Sequence, residues 1–192
     1  MKRSCLLCGV GGQGTVLASR LIALSGMEMG MNVRTAETIG MAQRGGCVVS
    51  HVRISDDEIN SSVIPEGTAD VIIAFEPAEA VRCLKYLKPE GTVVVNKKAV
   101  KPVTASLSGS TYDGVEMLNY LKKNIKHVTV IDGDDICEKC GSPKVLNIAL
   151  LAAAAKSGAL GIDVEGLKNA VKTKVNPKFL DLNMKAIELT VN

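Results

Sequence analysis

Two glycine-rich segments, separated by one helix-like segment, dominate the N-terminal part of the chain. The first runs from Cys5 to Gly14 and the second from Ala36 to Gly46. Four of the six residues from Gly9 to Gly14 are glycine. Glycine loses more conformational freedom on folding than any other residue, so this density predicts backbone that turns tightly or approaches another group closely. The two segments therefore predict a functional site carried by a folded scaffold.

The length and composition favour one soluble domain. With 192 residues, 46% of them hydrophobic, the chain is long enough to bury a sizeable core, and we predict a single domain over residues 1–192. Aromatic residues make up only 3%, tryptophan is absent and the net charge is +3. These values disfavour base stacking and a strong electrostatic attraction to phosphate backbones, so no nucleic-acid partner is expected.

The apolar stretches are too short to act as targeting or membrane segments. The run that ends at Cys8 passes directly into glycine and does not fit a signal peptide. The longest run, from Val145 to Ala155, is interrupted by Asn147 and is shorter than a bilayer crossing requires. We therefore expect a cytoplasmic protein without a membrane segment.

Strand-like and helix-like patterns alternate along the chain, which predicts an α/β fold with a mostly parallel central sheet, flanking helices and a Rossmann-like start. The segment from Cys47 to Ile54 follows the preceding strand too closely for a helical crossover, so it should be antiparallel to it. The predicted strands are 4–8, 32–36, 47–54, 70–75, 92–96 and 128–131, and the predicted helices are 15–29, 78–87, 114–124, 143–157, 163–172 and one that begins at Pro177. A polar stretch from Lys97 to Thr111 is the only candidate linker.

The six cysteines include two pairs with the two-residue spacing of metal and redox sites. Together the pairs could form a four-thiolate zinc site, but Cys5 and Cys8 lie in an apparent buried strand and should point to opposite faces. They are better explained as small buried apolar residues. Cys137 and Cys140 lie in a more polar stretch, where a reactive pair stays an alternative. The sequence contains no closely spaced run of four cysteines, so we do not expect this chain to hold an iron–sulfur cluster.

The first glycine segment fits a dinucleotide-binding fingerprint and also a purely structural turn. Gly9, Gly11 and Gly14 match the G-x-G-x-x-G spacing between a strand and a helix whose N-terminus could receive a phosphate group. Glu37 stands where such folds place the acidic residue that binds a ribose. The alternative is that the glycines only allow the strand and the helix to pack closely.

The second glycine segment is unusual after a Rossmann-like second strand. Arg44 can bind a carboxylate or phosphate through two parallel hydrogen bonds, and Gln43 can bind neutral or charged groups. A surface ion pair is the ordinary explanation for an arginine, but flanking Gly45 and Gly46 favour a ligand or partner contact. His51 is expected to face a groove or a partner, and His127 to be structural.

These motifs together resemble the gamma-type subunits of 2-oxoacid:ferredoxin oxidoreductases, with the strongest likeness to the beta subunit of the indolepyruvate enzymes. The resemblance continues through most of the chain. It is carried by Gly9-Val-Gly-Gly-Gln-Gly14, Ala36-Glu-Thr-x-Gly-Met-Ala-Gln-Arg-Gly-Gly46, Ser50-His-Val-Arg53, Ile64-Pro-x-Gly67, Ala69-Asp70, Phe75-Glu76-Pro77, Glu79-Ala80 and the stretch from Ser142-Pro-Lys to Asn147.

The resemblance implies the fold of the third domain of pyruvate:ferredoxin oxidoreductases and a subunit role in oxidative decarboxylation of a 2-oxoacid to acyl-CoA. Thiamine diphosphate, Mg²⁺ and [4Fe-4S] clusters are then expected in a large alpha subunit, with coenzyme A as co-substrate and ferredoxin as electron acceptor. This chain would hold none of these cofactors alone and would complete the catalytic cleft beside its partner.

The candidate site residues follow from the two glycine segments. One alternative function is a stand-alone nucleotide-binding protein or NAD(P)-dependent reductase. A second alternative is that the two glycine segments only dock the large subunit and bind no ligand. The isolated chain could also form a homodimer. No metal ligand is assigned. We predict Gln43 and Arg44 as catalytic and Gly9, Gly11, Gly12, Gln13, Gly14, Glu37 and Thr38 as cofactor-binding.

Overall fold

A computed structural model of the chain describes residues 1–39, 46–100 and 112–192, which form a six-stranded sheet with helices on both faces. The strands are β1 (Lys2–Val10), β2 (Asn32–Ile39), β3 (Cys47–Ser55), β4 (Ala69–Ala74), β5 (Leu87–Asn96) and β6 (His127–Ile131). The α-helices are α1 (Thr15–Glu28), α2 (Pro77–Cys83), α3 (Val115–Asn124), α4 (Gly133–Cys140), α5 (Leu146–Lys156), α6 (Val164–Lys174) and α7 (Leu180–Val191). Short 3-10 turns occupy Leu84–Tyr86, Pro143–Val145 and Pro177–Phe179.

The strand order β2-β3-β1-β4-β5-β6 confirms the predicted mostly parallel α/β sheet. β1, β4, β5 and β6 pair in parallel, whereas β3 runs antiparallel to both β1 and β2. The antiparallel orientation predicted for the third strand is therefore correct. Because β3 returns between β1 and β2, the first β-α-β unit encloses a strand that an ordinary dinucleotide-binding fold does not have there.

The two faces of the sheet pack against different helices, with alternate strand residues contributing to each core. α1 and α4 to α7 cover the face that contains Cys5 and Leu7, and α2 and α3 cover the face that contains Leu6 and Cys8. The prediction that Cys5 and Cys8 point to opposite faces is confirmed. α5 is apolar around its whole circumference, and it is correspondingly buried along most of its length.

The structure corrects several predicted boundaries and adds one helix. β2 extends to Ile39, and α2 ends at Cys83 instead of 87. The helix expected from Pro143 begins at Leu146 after a 3-10 turn. α4 was missed because its eight residues are mostly polar, although Asp132 caps it by accepting the Asp135 N–H at 3.2 Å.

The chain direction brings five connections to one edge of the sheet. β1, β4, β5 and β6 end there, and β3 begins there because it runs the opposite way. From β1 the chain continues into α1 on one face, and from β4 into α2 on the other. The gap between β1 and β4 is thus the topological switch point, where open α/β sheets bind ligands.

His51 is buried, contrary to the expectation that it faces a groove or a partner. Its Nδ1 accepts the Ile64 N–H at 3.2 Å, and its ring lies edge-on to Tyr86 at 5.8 Å between centroids. Burial lowers the pKa of this imidazole below its ordinary value. Since Nδ1 accepts a backbone hydrogen bond, protonation there would break the contact that attaches the β3–β4 connection to the sheet.

We predict that the free energy of unfolding decreases as the pH falls through the unfolded-state pKa of histidine, about 6.5. The unfolded chain takes up a proton at His51 that the folded chain resists, so this stability is complete above that pKa and is lost below it. Urea unfolding at pH 7.5 and pH 5.5 measures the effect. His51→Asn, whose amide oxygen can still accept the Ile64 N–H, should reduce the pH dependence.

The exposed His127 provides the matched control, since the chain contains only two histidines. His127→Gln should leave the difference in unfolding free energy between the two pH values in place. If His51→Asn retains the wild-type pH dependence in full, the assignment to His51 is incorrect.

Candidate functional site

A cleft of about 540 Å³ opens at the C-terminal edge of the parallel strands, on the face covered by α1, α4 and α5. The first glycine segment forms one wall, and the residues after β5 and β6 with the start of α5 form the other. The lining residues are Gly12, Gln13, Gly14, Leu17, Asn96, Lys98, Val100, Asp134, Cys137, Pro143, Lys144, Leu146 and Asn147.

The glycine turn joins the end of β1 tightly to the end of β4. Gln13 bridges the two strands, because its Oε1 accepts the Val10 N–H at 2.7 Å and its Nε2 donates to the Phe75 carbonyl at 3.2 Å. A Cβ at Gly9 would lie 2.7 Å from Gln13 Oε1 and 2.8 Å from Phe75 Cβ. Gly9 therefore serves this close approach, and the Gln13 amide is used inside the fold.

The N-terminus of α1 lies at the cleft, which Gly14 and Leu17 line, and no side chain caps it. Gly12 and Gly14 adopt φ values of 102° and 91°, which favour glycine, and Gly14 occupies the cap position. The amides of Thr15 to Leu17 find no acceptor among the residues that the structure describes. Such a terminus carries partial positive charge and suits an anionic group.

Asn147 and two lysines add hydrogen-bond donors and positive charge on the opposite wall. Asn147 is only 4% exposed, and its Nδ2 lies 3.4 Å from the position of a Cβ on Gly14. That nitrogen has no acceptor within the described part of the chain, whereas Oδ1 accepts the Ile148 N–H. Lys98 pairs with Asp134 at 3.1 Å, and exposed Lys144 has no salt bridge to a described carboxylate.

The structure brings only some of the predicted cofactor-binding residues together. Gly12, Gln13 and Gly14 line the cleft, while Gly9 is packed inside and the Gly11 N–H donates to the Gly46 carbonyl at 2.8 Å. This last hydrogen bond places the end of the second glycine segment against the first. The end of the second segment therefore adjoins the first.

Glu37 and Thr38 lie away from this cleft, on the exposed end of edge strand β2. Because β3 lies between β1 and β2, Glu37 is two strand spacings, or about 10 Å, from β1 instead of one. Glu37 accepts a hydrogen bond from Ser19 of α1 at 3.3 Å. The cleft extends in the opposite direction, toward β5 and β6, so the ribose-binding role of Glu37 stays a prediction.

The predicted catalytic pair, Gln43 and Arg44, lies outside the described residues. Their chain neighbours are placed: Ile39 ends β2, and Gly46 precedes Cys47, which begins the return strand β3 at the cleft edge of the sheet. The catalytic roles of Gln43 and Arg44 therefore stay predictions.

Sequence reasoning missed the second wall of the cleft, although a signal was present. Asn96 ends β5 and Lys98 follows it, and the rule that parallel strands present functional residues at their carboxyl ends predicts both positions. Lys144 and Asn147 lie within the motif that starts at Ser142, whose sequence signal is its resemblance to the family. Neither group is close to the glycine segments in sequence, and the sheet topology alone brings them together.

The cysteines do not assemble into a metal site in the described ranges, where no group of three or more potential ligands occurs. Cys137 lines the cleft and Cys140 is buried, and burial raises the pKa of both thiols. On the other face, a hydrogen bond between the Cys8 and Cys83 thiols raises the pKa of Cys8 and lowers that of Cys83. The described helices also include none with the length and apolar content of a membrane span.

Comparison with known proteins identifies the family. Residues 4–192 match the model of the pyruvate ferredoxin/flavodoxin oxidoreductase family. The chain is 37% identical to the indolepyruvate oxidoreductase subunit IorB of Archaeoglobus fulgidus, covering 100% of this chain and 95% of that one. It is 29% identical to the pyruvate/ketoisovalerate oxidoreductases common subunit gamma of Pyrococcus furiosus, covering 93% and 89%.

Solved structures support the same fold. The gamma subunit of a keto/oxoacid ferredoxin oxidoreductase from Geobacter sulfurreducens matches with a TM-score of 0.71 and 23% identity, covering 98% of this chain and 96% of that one. The 2-oxoglutarate:ferredoxin oxidoreductase of Magnetococcus marinus matches with a TM-score of 0.71 and 18% identity, over 98% of this chain but only 30% of that longer chain. The chain described here belongs to the pyruvate ferredoxin/flavodoxin oxidoreductase family and matches its gamma-type subunits along nearly its whole length.

Proposed function

We propose that this chain is the beta subunit of an indolepyruvate:ferredoxin oxidoreductase and completes the catalytic cleft beside a large alpha subunit. The reaction is oxidative decarboxylation of an aryl 2-oxoacid to acyl-CoA, with electrons passed to ferredoxin in the cytoplasm. The observation that carries the proposal is the open cleft at the switch point of a chain whose relatives include indolepyruvate oxidoreductase subunits.

The donor groups of the cleft support binding of an anionic co-substrate such as coenzyme A. Three groups could each bind a phosphate oxygen: the uncapped N-terminus of α1, whose Leu17 lines the cleft, Asn147 Nδ2 and Lys144. Leu17, Val100 and Leu146 supply apolar surface at the same cleft, which suits the alkyl parts of such a molecule. In this arrangement the chain binds and orients the co-substrate and excludes water from one side of the reaction.

The described residues of this chain do not fit an iron–sulfur cluster. The described cysteines are divided between the two faces of the sheet and form no ligand cluster. In the proposed complex, thiamine diphosphate with Mg²⁺ and the [4Fe-4S] clusters belong to the large subunit, where they would supply the decarboxylation and electron-transfer chemistry.

A stand-alone dinucleotide-binding protein has weaker support. Its best sequence feature was Glu37, and β3 separates the strand that carries Glu37 from β1. Calorimetric titration of the isolated chain with NAD, NADP, FAD and CoA distinguishes the two functions. Tight dinucleotide binding in the absence of any partner would favour this alternative.

The proposed function is tested by purifying the chain with its large subunit and measuring reduction of a low-potential dye. Activity should depend on both indolepyruvate and CoA. A complex that carries all of its cofactors and yet oxidises no 2-oxoacid, whether indolepyruvate, pyruvate, 2-oxoisovalerate or 2-oxoglutarate, would contradict the proposal.

We predict that Lys144→Met raises the KM for CoA by roughly threefold, as loss of one exposed charge contact would. Asn147→Asp should raise it by roughly tenfold, because a carboxylate would replace an N–H donor beside the bound anion. Steady-state kinetics with varied CoA and saturating 2-oxoacid measure both changes.

Lys178→Met is the matched control, since Lys144 and Lys178 both lie 6.0 Å from the Phe179 ring and only Lys144 lines the cleft. Equal effects of the two lysine variants would contradict CoA binding in the cleft.

We predict that Arg44→Ala lowers kcat by about tenfold to a hundredfold while leaving thermal stability and subunit assembly near wild type. Arg44 would orient an anionic group, and its segment is polar and bounded by glycine, so we expect few core contacts to depend on this side chain. Arg20→Ala on the exposed face of α1 serves as the control. Normal turnover by an assembled Arg44→Ala complex would favour docking over catalysis for this segment.

A further inference from the structure

The N-terminus of α2 carries two buried carboxyl side chains that the cleft does not use, one at the cap position and one in the first turn. Glu76 is 2% exposed and Glu79 is 6% exposed. Glu76 caps the helix, since its Oε2 accepts the Glu79 N–H at 3.0 Å. Carboxylates are rarely buried without charged or hydrogen-bonding partners, so the partners of these two side chains indicate what the turn is built to hold.

The partner of Glu79 is the first residue of β3. The Cys47 thiol donates a hydrogen bond to Glu79 Oε2 at 2.7 Å, and Arg82 pairs with Oε1 at 3.3 Å. Gly46, immediately before Cys47, accepts the Gly11 N–H at 2.8 Å. Two successive residues are therefore attached to different elements, one to the glycine turn after β1 and the other to α2. These contacts fix the point at which residues 40–45, including Gln43 and Arg44, join the sheet.

The partner of Glu76 lies at the end of another connection. Tyr112 Oη donates to Glu76 Oε1 at 2.5 Å and accepts the Ala78 N–H at 3.1 Å. Tyr112 is the first described residue after 101–111. The hydroxyl thus completes the cap of α2 and attaches the end of this connection to the turn that holds Cys47.

We propose that Glu79, through Cys47, and Glu76, through Tyr112, are positioning residues that fix where residues 40–45 and 101–111 join the cleft edge of the sheet. The first turn of α2 then sets the position of both connections at once. The consequence for turnover rests on the proposed function, in which Gln43 and Arg44 act at the cleft.

The ionisation of the two donors agrees with this role. Burial, together with the hydrogen bond to Glu79, raises the pKa of the Cys47 thiol to about 12. Burial and the hydrogen bond to Glu76 raise the pKa of Tyr112 above its ordinary value. Both groups therefore keep their protons at neutral pH and donate continuously to the carboxylates. A thiol held in this state is a poor nucleophile, so Cys47 is a structural donor.

The Cys47 contact is tested by limited proteolysis of the full chain. Trypsin cleaves after arginine, and the Arg44–Gly45 bond lies close to Cys47 in sequence. Cys47→Ala should accelerate cleavage after Arg44 roughly tenfold relative to cleavage after exposed Lys174 at the end of α6. Cys47→Ser retains an O–H donor and should return the ratio to within about twofold of wild type. Mass spectrometry of the fragments gives the rates.

Arg82→Gln is the matched control for the charge of Glu79. It removes the exposed arginine from the same carboxylate and leaves the Cys47 contact intact. Its cleavage ratio should match wild type. Unchanged cleavage in Cys47→Ala, or equal acceleration in Arg82→Gln, overturns the positioning role of the Cys47–Glu79 pair.

Tyr112→Phe tests the second contact in the same way, with chymotrypsin and cleavage after Leu107 as the readout. The phenylalanine keeps the ring but removes the hydroxyl, so cleavage after Leu107 should accelerate while cleavage after Arg44 by trypsin changes less. Unchanged cleavage after Leu107 overturns the Tyr112–Glu76 part of the proposal.

Turnover of the complex with the large subunit separates this proposal from the proposed function. Cys47→Ala should lower kcat more than it changes the KM for CoA, and Cys47→Ser should restore kcat. Accelerated cleavage with normal turnover supports the positioning contact and contradicts a catalytic role for Gln43 and Arg44. Unchanged cleavage overturns the positioning contact whatever the activity.

Discussion

The close approach of β1 and β4 at their C-terminal ends is the constraint on which the rest of the site depends. Gln13 connects the two strands through both atoms of its amide, and Gly9 leaves room for it against Phe75. A larger residue at Gly9 would push the glycine turn away from β4 and move the start of α1 with it. The dense glycines thus serve packing first, and the exposed helix N-terminus follows from that packing.

The cleft then results from chain direction more than from any single motif. Parallel strands deliver their C-terminal connections to one edge, so residues distant in sequence meet there without a dedicated contact between them. Asn147, in the first turn of the mostly apolar helix α5, is placed beside Gly14 by the packing of α5 against the sheet. The result is a concave surface with donors from three connections, apolar side chains and a helix N-terminus whose first amides have no acceptor among the described residues, which suits an anionic ligand.

On the other face of the sheet, at the N-terminus of α2, acidic side chains hold the neighbouring connections in place. Buried Glu76 caps α2 and buried Glu79 lies in its first turn, where the helix N-terminus stabilises carboxylates, and each accepts a hydrogen bond from a neutral donor on another part of the chain. One helix turn can in this way hold two connections at the cleft edge while α1 on the other face remains open. α1 borders the cleft while α2 holds the two connections, because the two helices lie on opposite faces of β1 and β4.

The sequence by itself determined the α/β class, the antiparallel third strand, the opposed side chains of Cys5 and Cys8, and the family, because periodicity, connection length and local motifs are short-range properties. It also located the glycine turn, since positive φ at Gly12 and Gly14 is a local requirement. Only the tertiary structure decided that the Gln13 amide makes its hydrogen bonds within the fold and that β3 separates Glu37 from β1. It also decided that His51 is buried. The second wall of the cleft was likewise a tertiary result, and it consists of Asn96, Lys98, Lys144 and Asn147. These outcomes depend on strand order and on contacts between residues far apart in the chain, and neither is encoded in the spacing of any one segment.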